Sequence, residues 1–313
     1  MVLGHADVER RFLNSLRDRS LHHAWLLHGP SGIGKAMLAG RLAAAYLCER
    51  SRADAGAAAC GECHVCHMLQ AGSHPDYLQI GRIEGKRDIN VEQVRSLLSF
   101  LALSGAESER RVVLLDDASS MNLQAANALL KGLEEPAAGS LLLIVCDDLV
   151  RLPATVRSRC MLERMATLSD DDCRAVLKGL GLEGRVLDLA LMLADGRPGR
   201  MACLTDEEVA GALLDWRDLT RDLGRADIGA LQDWLMRHVQ RVPHALLADT
   251  VLRGLEPALQ QQGGFDARDG LMQHAWELAA WPQRVVRQSL RAAPTLLSHL
   301  LSLRVALRAL EGS

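Results

Sequence analysis

The sequence predicts an α/β fold with a parallel sheet, followed by an all-α C-terminal region. An apolar run at residues 24–28 leads into a glycine-rich loop and then a segment whose apolar residues have helical spacing. Two further apolar runs, at 112–115 and 141–146, alternate with helical segments. Such runs are typical of parallel strands that are covered on both faces. After Arg164 the strand signal ends and only helical patterns follow.

Length and composition indicate a globular protein of two or three domains. The chain has 313 residues, of which 49% are hydrophobic and 24% charged, enough to form a buried core. Its net charge of −3 provides no overall basic field for nucleic acid. We find no secretory signal and no apolar run of membrane-spanning length, so the expected compartment is the cytoplasm.

The elements can be predicted in chain order from periodicity and from turn residues. Asn90 is a plausible N-cap for one helix, and Pro136 closes another. The predicted strands are 24–28, 77–80, 112–115 and 141–146, with a final strand after Cys160. The predicted helices of this region are 5–20, the segment that opens at Lys35, 90–103, 122–135 and 153–159.

The C-terminal half is predicted to be helical throughout. A small helical unit at 167–205 is broken at the stretch 196–199. Five helices follow, near 207–223, 228–241, 243–261, 267–290 with an interruption at Pro282, and 294–311. We therefore predict three domains: an α/β domain at 1–164, a small helical domain at 165–205 and a helical domain at 206–313.

A phosphate-binding loop is predicted at Gly29-Pro30-Ser31-Gly32-Ile33-Gly34-Lys35-Ala36. Gly29, Gly32 and Gly34 allow the tight turn and the close backbone approach that phosphate oxygens need, and Lys35 supplies a positive charge. The pattern ends in Ser or Thr, whose hydroxyl ligates Mg²⁺, but here that position is Ala36. The loop therefore predicts the fold of a nucleotide-binding protein more strongly than it predicts ATP hydrolysis.

An acidic pair at the end of a buried strand also argues against efficient ATP hydrolysis. Asp116 follows the run at 112–115 and matches the carboxylate that holds Mg²⁺ in related sites. Many ATPases place Glu next, to polarise the attacking water, but this chain has Asp117. A carboxylate that is one methylene shorter would be displaced enough to cost on the order of a hundredfold in rate. Asp117 and Ala36 together predict a degenerate nucleotide site.

Four clustered cysteines form the sharpest chemical pattern in the sequence. Three thiols are spaced in steps of three, and a fourth precedes them by twelve residues; they are Cys48, Cys60, Cys63 and Cys66. This spacing predicts a closed, structural Zn²⁺ site within an insertion at about 48–66. His64 or His67 remains an alternative fourth ligand in place of Cys48.

The segment Ser158-Arg159-Cys160 places an arginine at a helix end, just before the last strand of the α/β domain. A guanidinium there could point outward to a neighbouring subunit and stabilise charge on a transferring phosphoryl group. The pattern alone is weak, because most surface arginines are simply solvated.

Taken together, these motifs resemble the clamp-loader branch of the AAA+ ATPases. The resemblance is detailed over residues 1 to about 205, and beyond that it rests on helical character alone. Besides the cysteines and Ser158-Arg159-Cys160, it is carried by Ala71-Gly72-Ser73-His74-Pro75-Asp76 and by Ala126-Asn127-Ala128-Leu129-Leu130-Lys131-Gly132-Leu133-Glu134-Glu135-Pro136. It implies a RecA-like domain with a zinc module, a helical lid and a helical collar that joins subunits into a ring.

The resemblance also implies a role and a set of partners. In that family the Ser-Arg-Cys arginine acts in trans on ATP bound by the adjacent subunit, which assigns this role to Arg159. The implied partners are the gamma/tau and delta clamp-loader subunits, the sliding clamp indirectly, and primer-template DNA within the complex. ATP-hydrolysing members keep a lid arginine, where this chain has Gly199, with Arg200 one residue out of register. Little or no intrinsic ATPase activity is therefore expected, and ATP or ADP binding should be weak or absent.

Two other functions are alternatives to this one. An autonomous AAA+ ATPase of replication or repair would be consistent with the retained Gly34-Lys35 pair. A zinc-containing nucleic-acid-binding module is disfavoured, because only 3% of residues are aromatic and the net charge is negative.

Overall fold

The computed structural model describes residues 3–53, 57–83, 85–103, 106, 109–260 and 265–311. The predicted cysteine insertion at about 48–66 thus includes three residues, 54–56, that lie outside the described ranges. Two compact units divide the chain: residues 1–173 with 196–200, and residues 174–195 with 201–313. The division into three domains stays a prediction. No helix within the described ranges is long and apolar enough to cross a membrane.

The first unit is built on a five-stranded sheet in which every neighbouring pair of strands is parallel. The strand order is β2-β3-β4-β1-β5. The strands are β1 (Ala24–His28), β2 (Tyr77–Ile80), β3 (Arg111–Leu115), β4 (Ser140–Cys146) and β5 (Met161–Arg164). The α/β class and the position of each strand are therefore confirmed.

Helices cover the sheet, and their ends follow the sequence signals. Asn90 accepts a hydrogen bond from the Gln93 backbone N–H while the Gln93 side chain accepts one from the Asn90 N–H, so the predicted N-cap is part of a capping box. Asn122 is the N-cap of the α-helix that follows β3, and its side chain accepts the Ala125 N–H without a reciprocal bond. The helices up to β5 are α1 (Ala6–Arg17), α2 (Lys35–Leu47), α3 (Glu49–Ala53), α4 (His64–Gln70), α5 (Val91–Ala102), α6 (Leu123–Glu134) and α7 (Ala154–Arg157).

The sheet core is apolar because β3 and β4 are buried nearly throughout. Every residue of β3 is buried, and all of β4 after its first residue is buried. One core cluster includes Leu26 of β1, Leu129 of α6 and Val156 of α7. This continuous burial on both faces is what the uninterrupted apolar runs predict.

The second unit is helical, as the sequence predicts. Two tryptophans, Trp216 and Trp234, pack in its core with ring centroids 4.6 Å apart and planes inclined by 35°, and the Trp216 indole N–H donates to the Leu247 carbonyl. After β5 the chain forms α8 (Asp170–Gly179), α9 (Gly184–Ala194), a 3₁₀ segment (Pro198–Thr205), α10 (Glu207–Thr220), α11 (Ile228–His238), α12 (His244–Gln260), α13 (Phe265–Gln288) and α14 (Ala292–Glu311).

The predicted interruption at Pro282 is wrong. Helix α13 runs from Phe265 to Gln288 with Pro282 inside it. Proline removes one backbone hydrogen bond, but tertiary packing supplies most helical stability. Helix α13 packs against both α12 and α14, and its buried Trp281 donates a hydrogen bond to Thr295 of α14. These contacts hold the helix continuous across the proline.

Candidate functional site

The phosphate-binding loop lies between β1 and α2, at the carboxyl edge of the sheet. Gly32 and Gly34 have φ angles of 85° and 92°, in the region that favours glycine, and Gly34 is the N-cap of α2. A Cβ on Gly29 would lie 2.2 Å from the Met165 carbonyl oxygen, so this position also needs glycine. The predicted loop conformation therefore follows from its glycines.

Lys35, the first residue of α2, is buried and makes three contacts through its ammonium group. Nζ donates to the Gly29 carbonyl at 2.8 Å and to the Pro30 carbonyl at 2.5 Å. It also forms an ion pair with the Asp147 carboxylate, with Nζ and Oδ1 2.7 Å apart. The two carbonyls use two of the three N–H donors of the ammonium, and the carboxylate balances its charge.

Asp147 is a site residue that the sequence prediction missed. It follows β4, and β4 pairs with β1 so that His28 lies opposite Cys146 and the Gly29 N–H donates to the Cys146 carbonyl. Asp147 thus lies next to the loop. An acidic residue directly after a buried strand was the available signal, but only the strand order shows that β4 neighbours β1.

The two predicted acidic residues, Asp116 and Asp117, lie after β3 at the same edge of the sheet. Asp117 has a φ of 52° and its N–H donates to the Asp116 carboxylate at 2.9 Å. Burial raises the pKa of Asp117, although its ion pair with Arg82 acts in the opposite direction. Among the residues that the structure describes, the carboxylate paired with Lys35 is Asp147 and neither of these two.

The predicted lid position, Gly199, contacts the loop directly. Its N–H donates to the Gly32 carbonyl at 2.9 Å, and a Cβ on Gly199 would lie 2.9 Å from that oxygen. Only glycine allows this close approach without a shift of the backbone. A Cβ on Gly32 would in turn lie 3.0 Å from Cγ of Arg200, so the backbone and stem of Arg200 also approach the loop.

The four predicted cysteines converge, and all can contribute a sulfur to one metal site. The four Sγ atoms lie within 4.8 Å of one another. Three pairs are 3.6–3.9 Å apart: Cys48 with Cys60, Cys48 with Cys63, and Cys60 with Cys66. A tetrahedron with Zn–S bonds of about 2.3 Å has edges of about 3.8 Å, which these distances match. Cys48 is therefore the fourth member of the cluster, rather than His64 or His67.

Backbone donors complete the surroundings of the sulfur cluster. The N–H groups of Glu62 and Cys63 point at Cys60 Sγ and lower the pKa of that thiol to about 6, whereas burial raises the pKa of Cys66 to about 12. The Cys66 N–H donates to Cys63, which caps α4. Four thiolates would leave no position for water on a tetrahedral metal, and backbone N–H bonds to the sulfurs orient them, so the cluster suits a structural metal.

The His74-Pro75-Asp76 motif is structural in this fold. Asp76 is fully buried and accepts the Ala106 N–H at 2.6 Å, and it pairs with Arg111 at 3.4 Å. Arg111 also donates to the Phe100 carbonyl and lies over the Phe100 ring. The motif therefore joins β2, β3 and α5 near the amino edge of the sheet.

Arg159 lies at the opposite edge of the sheet from the phosphate loop. It follows α7 and precedes β5, whose first residue Met161 pairs with Trp25 near the start of β1. The loop follows the last residue of β1, His28. At about 3.3 Å per residue, the length of β1 alone separates the two edges by about 13 Å. The arginine cannot serve the loop of its own chain.

The Arg159 guanidinium is half-exposed and is held by its own chain on one side. It donates to the Thr155 carbonyl at 3.0 Å and pairs with Glu134 at 2.8 Å. Glu134 is the last residue of α6. It lies in the motif at 126–136, and the sequence assigned this glutamate no role of its own. The Arg159 side chain remains partly exposed in spite of these contacts.

Comparisons with known proteins identify relatives of this chain. The family described as "DNA polymerase III, delta subunit" matches residues 4–169. DNA polymerase III subunit delta' of Pseudomonas aeruginosa is 47% identical over 160 residues, 50% of this chain and 48% of that protein. The Escherichia coli subunit delta' is 32% identical over 228 residues, 68% of this chain and 67% of that protein. The chain spans about half the length of the first relatives it matches.

More distant relatives share the fold. DNA polymerase III subunit tau of Salmonella typhimurium is 31% identical over 215 residues, 67% of this chain and 33% of that protein. A crystal structure of a DNA polymerase III gamma subunit-related protein from Thermotoga maritima aligns with a TM-score of 0.52 at 16% identity, covering 97% of this chain and 99% of that one. The parallel five-stranded sheet with its helices is the RecA-like AAA+ fold. The match over residues 4–169 shows that the chain belongs to the DNA polymerase III delta-subunit family, in which its relatives are named subunit delta'.

Proposed function

We propose that the chain is a delta-prime-like subunit of the DNA polymerase III clamp loader. It acts as a stator that helps ATP-binding partners place the sliding clamp on primed DNA in the cytoplasm. Its direct partners are the gamma/tau and delta subunits, and it meets the clamp and primer-template DNA within the complex. The similarity to gamma and tau subunits supports a common assembly of related chains.

Arg159 is the residue that performs chemistry in this proposal. The observation that carries it is the separation of the two sheet edges: a half-exposed guanidinium faces away from the chain's own phosphate loop. Such an arginine stabilises the charge on a phosphoryl group transferred in the neighbouring subunit's ATP site. The degenerate site of Gly29, Gly32, Gly34, Lys35 and Asp116 has weak or no nucleotide affinity and little or no turnover.

The test is the Arg159→Ala variant in a reconstituted clamp loader. We expect normal folding and assembly, because the side chain is half-exposed, and a fall in ATPase activity of about a thousandfold per affected site. Circular dichroism and gel filtration check the fold and the assembly. Unchanged ATPase activity in the assembled complex would rule out the trans role. Mg²⁺-dependent turnover by the isolated chain that Lys35→Met abolishes would instead indicate an autonomous ATPase.

We further propose that the four-cysteine cluster holds one structural Zn²⁺. When bound, zinc crosslinks the start of α4 to the end of α2 by tetrahedral coordination. We expect about one zinc per chain by elemental analysis, and Cys66→Ser should lose the metal and lower the melting temperature. The Cys203→Ser variant, outside the cluster, should keep both. A purified chain without zinc would contradict this assignment.

A further inference from the structure

The ammonium of Lys35 is occupied by groups of its own chain at the position where a phosphate would bind. Two of its three contacts are main-chain carbonyls of the loop, and the third is the Asp147 carboxylate at 2.7 Å. The Lys35 side chain is only 3% exposed. A phosphate oxygen that approaches this ammonium must therefore compete with two carbonyl oxygens and a carboxylate.

Asp147 is held in place by its own backbone contacts. Its N–H and that of Asp148 both donate to the Ser119 hydroxyl, at 3.1 and 3.3 Å. Ser119 lies in the short 3₁₀ turn after β3, and its hydroxyl also contacts Cys146. The segment after β4 is therefore fastened to the segment after β3, and it places the carboxylate beside the loop.

We propose that Asp147 is a specificity-determining residue that competes with nucleotide phosphates for Lys35. Its carboxylate supplies the negative charge that a phosphate would otherwise supply, and it repels any phosphate that approaches the same ammonium. The ligands that it excludes are nucleoside di- and triphosphates. The inference rests on the proposed weak nucleotide affinity of this loop, and it names the cause of the weakness as an internal anion in addition to the missing Mg²⁺ hydroxyl.

The experiment measures ADP and ATP binding to the full chain by calorimetry, for the wild type and for Asp147→Asn. Asparagine keeps the size of the side chain and removes its charge. We expect the affinity of Asp147→Asn to rise by about tenfold or more, a typical coupling for an ion pair that competes with a ligand. In the double variant Asp147→Asn with Lys35→Met this gain in nucleotide affinity should vanish, because the ammonium that would bind the phosphate has been removed.

Asp148→Asn is the matched control. It removes the same charge one residue further along, where the side chain accepts the Val150 N–H and pairs with Arg151 rather than with Lys35. Its affinity should stay within twofold of the wild type. Equal gains in both variants would show a general effect of charge and would overturn the proposal. So would an Asp147→Asn affinity within twofold of the wild type, or no detectable binding by any variant. The Arg159→Ala assay in the assembled loader is scored separately, so failure of one proposal does not imply failure of the other.

Discussion

The two edges of the parallel sheet carry the two charged groups of interest, and they differ in what those groups contact. At the carboxyl edge, the Lys35 ammonium is buried and bound to two carbonyls and to Asp147. At the amino edge, the Arg159 side chain is 37% exposed and its guanidinium pairs with Glu134. Both cations are paired with a carboxylate of the chain, but Lys35 is almost fully buried, whereas Arg159 is partly exposed.

This difference indicates that a domain can keep the fold of a nucleotide-binding protein while its loop lysine is paired within the chain. The loop keeps its glycines, its lysine and its place between β1 and α2, because these also serve the packing of the domain. Gly32 accepts the Gly199 N–H, and Gly29 lies against the Met165 carbonyl. A loop can therefore retain its sequence pattern for structural reasons after its charge has been neutralised internally.

The largest expected effect that tests this comparison is the loss of ATPase activity in a loader that carries Arg159→Lys. Lysine keeps the charge but lacks the planar fork that matches phosphate oxygens. We expect a fall of about a hundredfold or more per affected site, measured as ATP turnover of the assembled complex. Lys35→Met, at the other edge, should change the same turnover by less than about twofold. Equal losses in the two variants would mean that both edges take part in hydrolysis.

A smaller effect is expected on stability where the lid segment contacts the loop. Gly199→Ala places a Cβ 2.9 Å from the Gly32 carbonyl oxygen and 3.0 Å from its Cα, both backbone atoms. We expect the free energy of unfolding to fall by about 1–3 kcal/mol, measured by urea denaturation. Gly40→Ala is the control, because a Cβ there meets nothing within 4 Å inside α2, and it should raise stability by up to about 1 kcal/mol. A neutral Gly199→Ala would show that the contact is not tight.

The smallest expected effect comes from Glu134→Gln. The ion pair with Arg159 joins two partly exposed side chains, and such pairs contribute about 0–1 kcal/mol. Stability should change by less than about 1 kcal/mol, and loader ATPase activity should fall by about two- to fivefold as the guanidinium loses one orienting contact. Gain of activity would indicate instead that Glu134 restrains the arginine, and a loss as large as that of Arg159→Lys would give Glu134 a direct role.

Much of the fold could be predicted because its signals are local. The apolar runs of β3 and β4, the capping residues Asn90 and Asn122, and the loop glycines act through neighbouring residues. The cysteine cluster was equally predictable, since three of its thiols lie in one short segment. Pro282 shows the limit of this approach, because packing against α12 and α14 holds α13 continuous where the local rule predicts a break.

The contacts on which the proposed function rests are not local. Asp147 and Lys35 are 112 positions apart, and Glu134 and Arg159 are 25 apart, so no periodicity connects them. Each pair meets because the strand order brings β4 beside β1, or because α6 and α7 end at the same edge of the sheet. By itself the sequence determined the α/β class, the glycine-rich loop between β1 and α2, the four-cysteine cluster and the candidate arginine. Only the tertiary structure decided which cation is buried against main-chain carbonyls and which stays partly exposed, because that depends on the neighbours that strand order and helix packing supply.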